Sequence, residues 1–147
     1  MVQPEIVAAA QAAQRATGVP ASVSIAQYGL ESGWGRHMPP GSNNPFGIKA
    51  FHGGGVEART AEVADGRAVT ETQPFAVFAS VAEAFAAHAR LIATDRRYAP
   101  AMAALPDIGR FVRAMAAHYA TDPAYAGKVL AIIAGDDLAR YDTESAA

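Results

Sequence analysis

The chain has 147 residues, a formal charge of −2 and no cysteine, and 51% of it is hydrophobic. That is enough apolar material for one packed domain, and the missing cysteines exclude disulfide frameworks, thiolate metal sites and a cysteine nucleophile. The charges are scattered, with Arg96 and Arg97 the only adjacent basic pair, which argues against a nucleic-acid binder and its clustered basic face.

Residues 1–13 carry no basic residue ahead of an apolar run and include Gln3, Glu5 and Gln11, so they do not read as a signal peptide. No stretch approaches the roughly 20 apolar residues needed to cross a bilayer. Pro4 suits a first helical turn, the alanine-rich run behind it favours helix, and Gly18 stops it. A second helix is predicted from Pro20 and Ala21, carrying Val23, Ile25, Ala26 and Leu30 inward and ending at Gly33-Trp34-Gly35. Residues 39–45, Pro-Pro-Gly-Ser-Asn-Asn-Pro, form a loop by composition. A short strand is expected over 46–51, and Asp65-Gly66 between β-capable runs at 56–63 and 68–73 predicts a hairpin.

The third zone returns to helix. Ser80 and Glu83 have the spacing of a capping box, and Phe85, Ala89 and Ile92 share the face behind it. Asp107 caps a helix bearing Ile108, Phe111, Val112, Met115 and Tyr119; Asp122-Pro123 opens a last one through Val129, Ile132 and Ile133 to Gly135. A single domain over 1–147 is expected, with a β-lobe at about 48–75 and a frayed tail at 142–147.

Glu31 is the carboxylate that stands out. It closes a largely apolar helix just before a tryptophan, and such shelter raises a carboxyl pKa by disfavouring the charged form. A glycosidase acid needs that property near neutral pH. A solvated glutamate at a helix end is the competing reading of the same residue.

The neighbourhood bears on that choice. Glu31-Ser32-Gly33-Trp34-Gly35 followed by Asn43-Asn44-Pro45-Phe46-Gly47-Ile48-Lys49 resembles the signature of glycoside hydrolase family 73, the bacterial glucosaminidases. The segment 75–85 with Ser80 and Glu83, the pair Arg97-Tyr98, and residues 119–125 with Lys128 are similar to further family segments in the family's order. The resemblance spans residues 25–133 and implies a mainly α, α+β domain: a lysozyme-like helical body with a small β-hairpin lobe over the substrate groove. It also implies a peptidoglycan glycan strand as substrate, cut at the β-1,4 bond after N-acetylglucosamine, with no cofactor.

By the same resemblance Glu31 is the general acid, Glu62 the second carboxylate and Tyr119 the active-site tyrosine; Glu57, Asp65 and Glu71 rival Glu62, solvated hairpin charges are the competing reading of all four, and a core aromatic beside Met115 that of Tyr119. Trp34, Asn44, Phe46 and Tyr125 are substrate-binding candidates, each with a packing or loop-holding alternative. Asp122 reads as a helix cap. His37, His52, His88 and His118 lack metal-ligand spacing and read as surface or packing residues. There are two departures from the pattern: Pro45 replaces a leucine, and Ala87-His88 replaces an aspartate followed by an aromatic. A lytic transglycosylase or muramidase on the same polymer, or a glycan-binding protein without turnover, are the alternatives. A monomer is expected, delivered to the cell wall by a phage, a secretion system or a longer protein.

Overall fold

A computed structural model describes residues 1–50, 55–64 and 67–143, with backbone alone for 59–64 and 67–71. Among the described residues the architecture is mainly helical with one two-stranded antiparallel sheet. Helix α1 (Pro4–Thr17) begins on Pro4 and ends at Gly18, whose N–H reaches Gln14 O. Helix α2 (Ala21–Ser32) is the axis of the molecule. Ten of its twelve residues are buried, and the small ones, Ala21, Ser22, Ser24, Ala26 and Gly29, let its neighbours approach closely. Gly29 is required: the Trp34 ring lies where a Cβ would stand, 2.6 Å from it.

Beyond α2 the chain forms a loop, then strands β1 (Val56–Ala64) and β2 (Arg67–Phe75), paired from Val56↔Phe75 to Ala64↔Arg67. Asp65 and Gly66, the turn expected between them, lie outside the described residues. The strand expected at 46–51 is reduced to a single bridge, Lys49 with Phe75. Gly47 at φ 67° breaks the extended course, and the Asn44 side chain takes the Phe46 and Ile48 N–H groups that a strand would pair elsewhere. Phe51 lies outside the described residues.

Helix α3 (Val81–Thr94) has Ser80 Oγ accepting from Glu83 N, while Glu83 reaches back to Ala79 N, one residue before the cap. A 3-10 turn (Arg96–Tyr98) and the short helix α4 (Ala99–Ala104), a stretch for which the pattern predicted no element, lead into α5 (Ile108–Tyr119), capped by Asp107 as expected. Helix α6 (Tyr125–Gly135) and a 3-10 turn (Leu138–Tyr141) complete the body. Ile25, Phe85, Ile92, Phe111, Met115 and Leu138 are fully buried and join α2, α3, α5 and the C-terminal turn in one core. No described helix is long and apolar enough to cross a membrane.

The start of the expected frayed tail is docked instead. Asp142 accepts from Ser22 N and Ser22 Oγ, both at 2.7 Å, so it caps α2 from the far end of the chain. Gln14 holds Thr143 through its N–H at 2.8 Å and its carbonyl at 2.6 Å. A capping carboxylate is recognisable in sequence only beside its helix; here it is 120 residues away. Residues 144–147 lie outside the described residues.

Candidate active site

A cleft of about 990 Å³ separates the helical body from the loop and hairpin. Glu31 and Tyr119 stand on its helical wall, and Ile48, Ala58 and Phe75 on the other. The volume and the mixture of aromatic and polar groups suit a ligand site.

Glu31 occupies the last turn of α2, so its backbone is held by the most deeply buried helix. Ser32 beside it fastens that turn: its hydroxyl donates to Tyr28 O at 2.6 Å and accepts from Gly35 N at 2.8 Å. The Glu31 side chain is open to the cleft, while the protein behind it removes water and raises the carboxyl above its ordinary pKa. The Tyr125 hydroxyl, donating to Glu31 Oε1 at 2.8 Å, pulls it partly back. Tyr125 is 4% exposed and in turn accepts from Gln27 Nε2 at 3.1 Å. It thus lies beneath Glu31, which matches the packing alternative of the two readings given for it.

Tyr119 lines the cleft, stacked on Tyr125 with ring centroids 5.5 Å apart. Burial and the nearby Glu31 charge push its pKa well above 10, so it stays a neutral phenol and a donor. Among the described residues its hydroxyl has no hydrogen-bond partner, which leaves it for a ligand.

Asn44 is buried, and all four of its side-chain bonds are used by the loop: Nδ2 donates to Ile48 O and Ala76 O, and Oδ1 accepts from Phe46 N and Ile48 N. It has nothing left to offer a sugar. Phe46 borders the cleft but is 4% exposed, stacked on His88 at 4.0 Å and edge-on to Phe85 at 4.8 Å. Trp34 is not in this cleft. Held at φ 61°, it turns to a second hollow with Arg36 and Arg140, 37% exposed and edge-on to Tyr28. For these three residues the structure corresponds to the packing or loop-holding alternative, or lies outside the cleft.

Glu62 falls on β1, its backbone opposite Val69. Asp122 accepts from Ala124 N at 2.8 Å at the entry to α6 and pairs with Lys128 at 2.6 Å. His88, at the position departing from the family pattern, is fully buried between Phe46 and Tyr119. Burial lowers its pKa to about 3, and neither ring nitrogen has a partner, so it serves as a neutral flat ring in the aromatic slot. His37 and His118 line the cleft, and His52 lies outside the described residues. No group of three metal-ligating side chains occurs among the described residues.

Sequence reasoning missed Gln27. Its signal was there: a lone amide in an apolar stretch, one helical turn before Glu31.

Comparison with known proteins agrees with this architecture. Residues 7–138 match the Glucosaminidase family, described as mannosyl-glycoprotein endo-beta-N-acetylglucosaminidase. The peptidoglycan hydrolase FlgJ of Vibrio parahaemolyticus is 37% identical over 131 residues, covering 84% of this chain and 42% of that protein. The exo-glucosaminidase LytG of Bacillus subtilis is 35% identical, covering 82% of this chain and 45% of that protein. This chain therefore spans less than half the length of either relative. Among solved structures, a peptidoglycan hydrolase mutant from Sphingomonas sp. A1 superposes with a TM-score of 0.79 at 36% identity, covering 91% and 92% of the two chains. A truncated glycoside hydrolase domain of FlgJ from Salmonella typhimurium gives a TM-score of 0.71 at 33% identity, covering 90% and 93%. A helical body, a two-stranded lobe and a match over residues 7–138 place this chain among the glycoside hydrolases, as a member of the glucosaminidase family, family 73.

Proposed function

We propose that this domain hydrolyses the β-1,4 bond after N-acetylglucosamine in the glycan strand of peptidoglycan, with Glu31 as general acid. The observation that carries the reading is the Glu31 carboxyl itself: on a cleft wall, its pKa raised by burial, and fixed on one oxygen by Tyr125. The substrate reading is supported by the relatives, two of which are peptidoglycan hydrolases. Its place of action is then the cell wall, reached with a phage, through a secretion system or as one domain of a longer protein.

Glu31 protonates the glycosidic oxygen as the bond to the anomeric carbon breaks. Glu62 is the second carboxylate, taking a proton from the water that adds to the anomeric carbon; attack by the substrate's own N-acetyl group is the other route open to this chemistry. Glu62 lies on β1, its backbone opposite Val69 and four residues after Ala58, which lines the cleft; Glu57 and Glu71 are its rivals on the same hairpin. Tyr119 donates a hydrogen bond to the sugar, and its ring offers an apolar face.

Clearing of purified peptidoglycan sacculi by the wild type and by Glu31→Gln tests the assignment. Loss of the acid is expected to slow clearing roughly 10²–10⁴-fold with the fold intact. Equal clearing by both would remove Glu31 from the role. Mass spectrometry of the products separates a reducing N-acetylglucosamine end from the anhydro-muramic end of a lytic transglycosylase. Sacculi bound but never cleared would favour the glycan-binding reading.

A further inference from the structure

Gln27 is fully buried on α2, one turn below Glu31. Its Nε2 donates to Tyr125 Oη at 3.1 Å and lies 3.6 Å from Met115 Sδ, while its Oε1 has no partner. A buried acceptor left without a hydrogen bond destabilises a fold, and a leucine or methionine of similar size would avoid it. An amide retained at that expense suggests that its N–H is wanted.

A phenol has one proton and accepts on its oxygen. Gln27 N–H occupies the oxygen of Tyr125, so the Tyr125 proton is directed outward, to Glu31 Oε1 at 2.8 Å. An oxygen that accepts this bond is the carbonyl oxygen of a neutral carboxyl group. We infer that Gln27, acting through Tyr125, is a positioning residue that keeps the acidic proton of Glu31 on Oε2, the oxygen free to meet a ligand in the cleft. Without Gln27 the bond can reverse: Glu31 donates from Oε1 to Tyr125, and the proton points into the protein. The inference rests on Glu31 being the acid of the proposed reaction.

The relay also favours the carboxylate, since a phenol donating to it stabilises the charge. Other titratable groups face the same cleft: His37 and Lys49 from the loop, His88 from α3, Arg97 from the turn before α4, and His118 and Tyr119 from α5. Among the described residues the bond from Tyr125 is the one side-chain hydrogen bond that bears on the Glu31 pKa, so a change at Gln27 is expected to reach Glu31 through that tyrosine.

The test is a carbon-13 NMR titration of the Glu31 carboxyl in the wild type, Gln27→Met, Gln27→Leu, Tyr125→Phe and the Gln27→Met/Tyr125→Phe double variant. Gln27→Met and Tyr125→Phe are each expected to raise the Glu31 midpoint, and the double variant to raise it no further than Tyr125→Phe alone. In sacculus clearing, Gln27→Met is expected to lower kcat about tenfold with KM within about twofold, because a mispointed proton affects the chemical step and not binding. The alkaline limb of its pH profile should move upward, and its Tm should hold or rise. An unchanged Glu31 midpoint in both Gln27 variants, or a further shift in the double variant, would overturn the inference. If the wild type clears no sacculi, the proposed function falls, while the titration still decides what Gln27 does to Glu31.

Discussion

The two walls of the cleft are held in different ways. The helical wall places Glu31 on a helix buried on nearly every side, with Ser32, Gln27 and Tyr125 fixing it through side-chain bonds from within the core. The opposite wall is a loop held by the side chains of Ser42, Asn43 and above all Asn44, and a hairpin whose backbone pairs with itself and, at its base, with Lys49 and Ala50. On the proposed reading, the group that transfers a proton sits on the deeply packed side, and the side that would accept a polymer carries less anchoring.

Asn44→Ala should break that comparison most severely. It removes four hydrogen bonds at once and strands the N–H groups of Phe46 and Ile48, so a loss of about 2–4 kcal/mol is expected at about 1 kcal/mol for each bond. Chemical denaturation measures it. If the walls are held independently, Glu31 should titrate as before in this variant while activity collapses.

His88 touches both walls, through Phe46 and Tyr119, and its effect depends on pH. Its folded pKa, about 3, lies below the ordinary 6.5. The neutral form stabilises the fold above the unfolded pKa, and this contribution is lost as pH falls from 6.5 towards 3. The limiting slope is about 1.4 kcal/mol per pH unit. Thermal melts across that window should show a shallower acid loss in His88→Phe than in the wild type. An equal slope in both would mean that the imidazole is solvated or partnered.

Asp142→Ala should sharpen the comparison by the smallest amount. It removes the cap on α2, an effect of about 1 kcal/mol, and should lower Tm while leaving the Glu31 titration alone, because the cap and the acid lie at opposite ends of the helix.

Glu31, the hairpin and the main helices were legible because their signals are local: a capping serine or aspartate, a turn dipeptide, a 3.6-residue apolar period. The alternatives stayed open where a side chain replaces backbone pairing or where partners are far apart in sequence. Asn44 reads as a loop residue in any context, and only the fold shows that its four bonds are already taken. Trp34 is three residues from Glu31, yet three successive residues at positive φ, 58°, 61° and 88°, turn it into a different hollow. Tyr125 and Gln27 are separated by 98 residues, and nothing in either segment announces the other.

Composition, periodicity and cap chemistry thus determine the main helices, the hairpin and the placement of a glutamate at the end of an apolar helix, because each depends on residues within a few positions of one another. Tertiary structure alone decides that Tyr125 lies beneath that glutamate rather than in the groove, that Asp142 closes the far end of α2, and that His88 is a buried neutral ring. Those outcomes depend on which surfaces exclude water and which donors meet which acceptors, and both are properties of chain segments brought together from opposite ends of the sequence.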